Sequence, residues 1–189
     1  MKLENTFIYL IGFPGVGKLT IAKVLSDLTG AKLVDNHLIN NPIFNVIGAD
    51  GITPIPKPAW DRVQAIREIV FDAIASIASS SFSFILTNVL FDKPDDRAVF
   101  LQVAALADAR KARLVPVLLE CAEQELLRRA ATPSRSASLK DTNMKAAKDR
   151  LRNQELLTIE HRHLLRLDTT DLPAESSARA ILSHIASLD

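Results

Sequence analysis

The sequence has little cysteine, little net charge and no long hydrophobic run. Cys121 is the one cysteine among 189 residues, so an internal disulfide and a zinc site built from cysteine pairs are both excluded. The formal net charge is +1 at pH 7, which lacks the basic excess typical of nucleic-acid-binding proteins. No segment approaches the roughly 20 apolar residues of a membrane span. We therefore expect a cytoplasmic protein without nucleic-acid or membrane partners.

The remaining composition is that of an ordinary folded domain. Apolar residues make up 48% of the chain and charged residues 24%, which suits a protein with a sizeable hydrophobic core. The length lies in the usual range of one domain, so we expect residues 1–189 to form a single unit. Whether that unit is a monomer or a homodimer stays open.

Short apolar runs alternate with helical patterns along the whole chain. The predicted strands are Phe7–Ile11, Lys32–Asp35, Phe82–Leu90, Leu114–Glu120 and Leu164–Asp168. The predicted helices cover residues 21–30, 59–78, 98–109, 123–131, 144–162 and 174–188. Pro116 inside the fourth strand weakens that assignment. Strands separated by helices predict an α/β protein, a three-layer α/β/α sandwich with a five-stranded parallel sheet.

A glycine-rich segment lies between the first predicted strand and the first predicted helix. It reads Gly-Phe-Pro-Gly-Val-Gly-Lys-Leu-Thr from Gly12 to Thr20. Glycines let backbone N–H groups surround a phosphate, the helix N-terminus adds positive potential, and the lysine neutralises phosphate oxygens. The candidate ATP-binding residues here are Gly12, Pro14, Gly15, Val16, Gly17, Lys18, Leu19 and Thr20. The segment predicts a nucleotide triphosphate site, with Lys18 also a catalytic candidate.

One position departs from the usual phosphate-binding loop. Leu19 follows the lysine where Ser or Thr normally binds Mg²⁺, and the hydroxyl comes one residue later, at Thr20. The segment resembles the Gly-x-Pro-Gly-x-Gly-Lys-x-Thr loop of nucleotide kinases such as adenylate kinase. This resemblance favours small kinases over GTPases and motor ATPases.

The resemblance to P-loop small-molecule kinases extends over nearly the whole chain. In shikimate and gluconate kinases the second strand ends in Asp-x-Asp, with the first acid near the metal and the second at the acceptor. This chain has Asp35-Asn36-His37 there. The resemblance implies ATP and Mg²⁺ as cofactors, Asp35 as a catalytic residue, and Thr20 and Asp35 as metal ligands. Either His37 or Asp35 is suited to accept a proton from an acceptor hydroxyl.

A basic stretch runs from Arg128 to Arg152. It contains eight basic residues and two acidic ones. The kinase resemblance assigns residues 132–148 to a short basic lid that closes on the phosphates. It implies catalytic roles for Arg128 and Arg135, with Arg128 or Arg129 near the nucleotide. RNA binding is a second interpretation, which the scarcity of aromatic residues among these charges disfavours.

Further candidate residues are predicted to contact the acceptor, the adenine or a metal-bound water. Residues 38–62 hold several prolines and glycines among apolar side chains and predict an acceptor-binding flap. His37, Phe44, Trp60 and Arg62 are its candidate substrate-binding residues. Thr169, after the last strand, resembles a residue of the segment that passes beside adenine. Asn88, at the end of the third strand, is a candidate for orienting a water on Mg²⁺.

Three hypotheses follow. The first is an ATP-dependent kinase that transfers the γ-phosphoryl group to a nucleoside, nucleotide, sugar acid or antibiotic. The second is an ATP-binding switch or slow ATPase that signals to a protein partner. The third is a binding protein whose catalytic site has decayed.

Overall fold

The computed structural model describes residues 3–51, 53–130 and 151–188. Five strands form one sheet: β1 Thr6–Ile11, β2 Lys32–Val34, β3 Phe84–Asn88, β4 Arg113–Glu120 and β5 Leu165–Asp168. The helices are α1 Lys18–Thr29, α2 Asn36–Val46, α3 Lys57–Asp72, α4 Pro94–Ala109, α5 Glu123–Ala130 and α6 Ala174–Ala186. The strand order is β2-β3-β1-β4-β5, and every pairing is parallel. The predicted parallel five-stranded sheet is confirmed.

The central strand separates two hydrophobic cores. All six residues of β1 are buried, and their side chains alternate between the faces of the sheet, as strand geometry requires. Phe7, Tyr9 and Ile11 join the core beneath α2, α3 and α4. Ile8 and Leu10 join the core beneath α1, α5 and α6. The fold is therefore the predicted α/β/α sandwich, and its parallel strands bring all their carboxyl ends to one edge.

The segment after β2 is more helical than its prolines indicated. Helix α2 continues through Pro42 to Val46, and α3 begins at Lys57 with Pro58 in its first turn, where proline is tolerated. A π-helical turn, Ala73–Ile77, extends α3. Strand β4 also continues through Pro116, which is paired with Tyr9 of β1. The predicted flap region therefore contains two helices, α2 and α3, that pack against each other.

The helix predicted to reach residue 162 is wrong over its second half. Residues 151–153 are helical, but the chain then leaves the helix and Leu156 bridges antiparallel to Phe91. Leu157 and Ile159 are buried at a spacing of two, which is the period of extended chain and not of a helix. Among the described helices, none combines the length and apolar character needed to cross a membrane.

Candidate active site

The phosphate-binding loop joins the end of β1 to the start of α1. Gly15 and Gly17 have φ values of 96° and 101°, a left-handed conformation that favours glycine. A Cβ atom on Gly12 would lie 2.6 Å from the Leu119 carbonyl oxygen. The glycines at these three positions are therefore required by backbone geometry, and the loop lies closely against the end of β4.

The first turn of α1 is arranged to receive an anion. Gly17 occupies the N-cap position, and within the described chain no side chain caps this end of the helix. No acidic residue lies in the first turn of α1 either. The first N–H groups of a helix carry partial positive charge and need acceptors. A phosphate group fits this requirement.

Lys18 lies over the phosphate-binding loop. Its Nζ donates hydrogen bonds to the carbonyl oxygens of Gly12 at 2.6 Å and Phe13 at 2.9 Å. Leu19 is partly buried, and Thr20 is exposed. The ammonium group is therefore placed at the loop, where a nucleotide's phosphate oxygens would replace carbonyl oxygens as its acceptors.

Asp35 and His37 form a second cluster at the carboxyl end of β2. Asp35 caps α2 by accepting from the His37 backbone N–H at 3.2 Å. Its Oδ2 also lies 2.8 Å from His37 Nδ1, and its Oδ1 accepts from the Thr87 hydroxyl. Burial alone would raise the pKa of Asp35, but the hydrogen bonds from His37 and Thr87 lower it to about 2. The carboxylate is thus ionised, and a proton on Nδ1 leaves His37 Nε2 able to accept one.

Asn88 belongs to a chain of polar side chains behind this cluster. The Tyr9 hydroxyl donates to Asn88 Oδ1 at 3.0 Å, and Asn88 Nδ2 donates to Asn36 Oδ1 at 2.9 Å. The Asn36 backbone N–H donates to Thr87 Oγ1. The suggested role of Asn88 in orienting a metal-bound water is untested, and its amide here links β1, β3 and α2.

Arg67 is a buried cation that the sequence reasoning missed. It is 7% exposed, and its Nη1 donates to Gln64 Oε1 at 2.5 Å. Burial lowers the pKa of Arg67, whose nearby charged and polar partners include Tyr9 and Asp96. Burial also raises the pKa values of Tyr9 and Asp96. A signal was present, because Arg67 follows Ala59 and Val63 at a spacing of four on the apolar stripe of α3.

The proposed acceptor residues fall into two groups. The Phe44 and Trp60 rings lie edge to face with centroids 5.3 Å apart, and Trp60 is 45% exposed. This pair joins α2 to α3 and leaves an aromatic surface open. Arg62 is exposed and donates to the Pro58 carbonyl of its own helix at 2.8 Å. Its role in substrate binding is a prediction without a supporting contact.

Arg128 and Arg129 have different surroundings. The Arg128 side chain is 70% exposed and pairs with Glu125. Arg129 also binds Glu125, but its Nη2 donates to the carbonyl oxygens of Thr169 at 2.8 Å and Thr170 at 3.0 Å. Of the two arginines, Arg129 is therefore the one that contacts the phosphate-binding loop and the turn after β5, and the predicted role of Arg128 stays untested.

Thr169 lies against the phosphate-binding loop. It is 1% exposed, and its single hydroxyl proton is shared between the carbonyl oxygens of Val16, 3.1 Å from Oγ1, and Glu120, 3.0 Å from Oγ1. The side chain therefore serves internal contacts. The predicted adenine contact would involve the backbone of this segment.

Comparison with solved structures identifies the architecture. A gluconokinase from Sinorhizobium meliloti 1021 matches with a TM-score of 0.66 at 16% identity, over 99% of this chain and 95% of that one. A sugar kinase from Janibacter sp. HTCC2649 gives a TM-score of 0.63 at 17% identity, over 96% and 95% of the chains. Shikimate kinase from Acinetobacter baumannii gives 0.53 at 20% identity, over 99% and 95%. This chain has the P-loop small-molecule kinase fold.

At these identities the likeness establishes the fold. Neither a protein-family model nor a curated protein sequence matches this chain. The P-loop kinase fold places the phosphate-binding loop and the Asp35 cluster at the same edge of the sheet. The predicted lid, residues 132–148, and Arg135 within it lie outside the described residues.

Mg²⁺ is the metal that a P-loop kinase fold implies. The structure describes no group of three His, Cys, Asp or Glu side chains that could hold a metal within residues 3–51, 53–130 and 151–188. Mg²⁺ in phosphotransferases is held by one or two protein groups together with phosphates and water. The ionised Asp35 and the Thr20 hydroxyl on the first turn of α1 fit that smaller requirement.

Proposed function

We propose that this protein is an ATP-dependent phosphotransferase that moves the γ-phosphoryl group to a hydroxyl of a small molecule. One observation carries the proposal: an uncapped, glycine-built phosphate loop with Lys18 lies at the same sheet edge as the Asp35–His37 pair. The first cluster suits nucleotide phosphates, and the second suits an acceptor hydroxyl. The kinase names of the structural neighbours support this assignment.

The phosphate side acts through charge and backbone dipoles. Lys18 would exchange the Gly12 and Phe13 carbonyl oxygens for β- and γ-phosphate oxygens. The first-turn N–H groups of α1 would bind the same phosphates. Phosphoryl transfer involves little covalent chemistry by the protein, so rate acceleration rests on positioning and charge neutralisation. Asp35 and Thr20 would hold Mg²⁺, which would supply further positive charge to the phosphates.

The acceptor side moves one proton. As the acceptor oxygen forms its bond to the γ-phosphorus, the bond from that phosphorus to the β,γ-bridging oxygen breaks and ADP leaves. The acceptor hydroxyl proton goes to His37 Nε2. Asp35 holds the imidazole through Nδ1 at 2.8 Å, which fixes the tautomer that leaves Nε2 free of a proton. His37 is therefore a better base than Asp35, whose oxygens already accept hydrogen bonds.

An acidic acceptor is favoured by Arg67. A buried guanidinium is stable only with anionic or hydrogen-bonding partners, and the anions described near it include Asp96 and Glu68. Arg67 lies beside Tyr9, whose hydroxyl binds Asn88 at the strand ends. Three neighbours are a gluconokinase, a shikimate kinase and an APS kinase, and gluconate and shikimate are anionic at neutral pH. A sugar acid or a similar hydroxylated acid is the acceptor class that we propose.

The experiment is phosphoryl transfer from γ-labelled ATP into a panel of nucleosides, nucleotides, sugar acids and aminocyclitols. We expect label to enter a hydroxylated acid, faster than its uncharged amide. The Lys18→Ala variant is the matched negative control. Acceptor-independent ATP hydrolysis across the panel, or none, would instead favour the switch or the decayed-site hypothesis.

A further inference from the structure

Thr169 and Arg129 hold one peptide of the phosphate-binding loop from outside the site. The Val16 carbonyl oxygen lies 3.1 Å from Thr169 Oγ1 and accepts its hydroxyl proton, which it shares with the Glu120 carbonyl oxygen at 3.0 Å. Arg129 Nη1 donates to the same oxygen at 3.4 Å. Val16 itself is 1% exposed and packs in the core with Leu126 of α5. Its carbonyl is therefore fixed toward α5 and the loop that follows β5.

The direction of the Val16 carbonyl determines the direction of the Gly17 N–H bond. A trans peptide is planar, and its C=O and N–H bonds point in opposite directions. Because the Val16 C=O points toward Thr169, the N–H of Gly17 points away from Thr169. Gly17 adopts a left-handed conformation with φ 101°, so its peptide would otherwise have considerable rotational freedom.

Arg129 keeps Thr169 in place. Its guanidinium spans four acceptors that belong to three segments: Glu125 on its own helix, Val16 on the phosphate loop, and the carbonyl oxygens of Thr169 and Thr170. Arginine presents its donors in a rigid planar fork, so these acceptors must keep one relative arrangement. The turn after β5 thus becomes a rigid support for the phosphate loop.

We propose that Thr169 and Arg129 are positioning residues that aim the Gly17 N–H at a bound phosphate. Neither side chain needs to touch the phosphate for this effect. Preorganised N–H donors bind an anion more tightly than donors that must first be oriented. The inference rests on the proposed function only in requiring that the loop binds phosphates.

The sequence offers a set of matched variants for the test. Thr169→Val removes the hydroxyl at constant volume, and Thr169→Ser retains it. Arg129→Ala removes the guanidinium. Arg166→Ala is the control, because Arg166 on β5 is an exposed arginine that pairs with Glu120. The probes are ADP and inorganic tripolyphosphate, which lacks a base, each measured by calorimetry alongside the melting temperature.

We expect Thr169→Val to weaken the binding of both probes by about 3- to 10-fold, the effect of about one lost hydrogen bond. Arg129→Ala should weaken them by at least as much, whereas Thr169→Ser and Arg166→Ala should stay within about twofold of wild type. A purely structural role would lower the melting temperature and leave both affinities unchanged, which would overturn the inference.

Two further outcomes are distinguishable. Weaker ADP binding with unchanged tripolyphosphate binding would show that Thr169 acts on the base and not on the phosphate loop, and the inference would fail while the proposed function stood. Wild-type protein that binds neither probe would overturn the proposed function itself, together with the inference.

Discussion

The two halves of the candidate site differ in the chemical groups that form them. On the proposed phosphate side, the groups are backbone N–H groups, glycines and one lysine, and Thr169 and Arg129 contact the loop that carries them. On the acceptor side, they are side chains of β2, α2 and α3 that bind one another, as Asp35 does with His37. Backbone geometry suits a ligand that is always the same, whereas side chains set the choice of an acceptor.

Removing the charge of Lys18 should have the largest effect on phosphotransfer, and this effect should arise on the phosphate side alone. Lys18→Ala should lower the phosphotransfer rate by about 10² to 10³, as removal of one preorganised charge donor does. The fold should persist, because Nζ donates to carbonyl oxygens of the surrounding loop and joins no other elements of the fold through them. Circular dichroism measures whether the fold persists, and steady-state kinetics measures the phosphotransfer rate. An unchanged turnover number would remove the phosphate-loop assignment.

His37→Gln should damage the acceptor side alone. The turnover number should fall by about 10², the lower end of what a general base contributes, while the dissociation constant for ATP should stay near that of wild type. His37→Asp, which recreates the Asp-x-Asp pattern that the sequence lacks, should recover part of the loss.

The matched control for that variant is His184→Gln on α6, whose imidazole binds the His163 carbonyl and takes no part in the proposed chemistry. Equal losses in kcat and in ATP affinity for His37→Gln would show that the two halves of the site do not act separately.

The phosphate side could be predicted from the sequence because it depends on local backbone rules. A glycine-rich loop between a buried strand and a helix has few possible conformations, and Gly12, Gly15 and Gly17 all occupy positions that need glycine. The parallel sheet followed from the alternation of strands and helices. That alternation could not predict the order of the strands in the sheet, or which residues meet at the strand ends.

The acceptor side could be predicted only in part, because its groups meet through tertiary packing. Thr87 reaches Asp35 from 52 residues away, and no local pattern links them. Arg67 could not be singled out from the sequence, because arginine on a helix usually faces solvent. The choice between Arg128 and Arg129 likewise depends on the helical rotation of α5 against the turn after β5. Period-two burial at Leu157 and Ile159 was hidden within a sequence of high helix propensity.

Nucleotide binding should stabilise the protein without any acceptor. A ligand at a hundred times its dissociation constant contributes about 2.7 kcal/mol, which corresponds to roughly 5 to 10 °C in melting temperature for a chain of this length. Thermal scans with ATP, ADP and plain phosphate, with and without Mg²⁺, measure the shift. A sugar acid added alone should give a smaller shift. If the acid alone gave the larger shift, the acceptor side would be the better organised half.

The smallest effect should come from Glu125, which orients both arginines of α5. Hydrogen bonds from Arg128 and Arg129 lower the pKa of Glu125 from 4.5 to about 2. A carboxylate with a lowered folded-state pKa contributes stability above its unfolded pKa, and that contribution is lost as the pH falls toward the folded value. Glu125→Gln should therefore be slightly less stable than wild type at pH 7, and this difference in stability should shrink between pH 4.5 and about 2.

The difference in stability should be small because Arg128 is largely exposed and solvent screens such pairs. Urea unfolding at pH 7 and at pH 3, in low and high salt, measures it. A difference that is the same at both pH values would show that the ionised carboxylate is not its source, and that the carbonyl oxygens of Val16, Thr169 and Thr170 contribute more to the arrangement of Arg129 than Glu125 does.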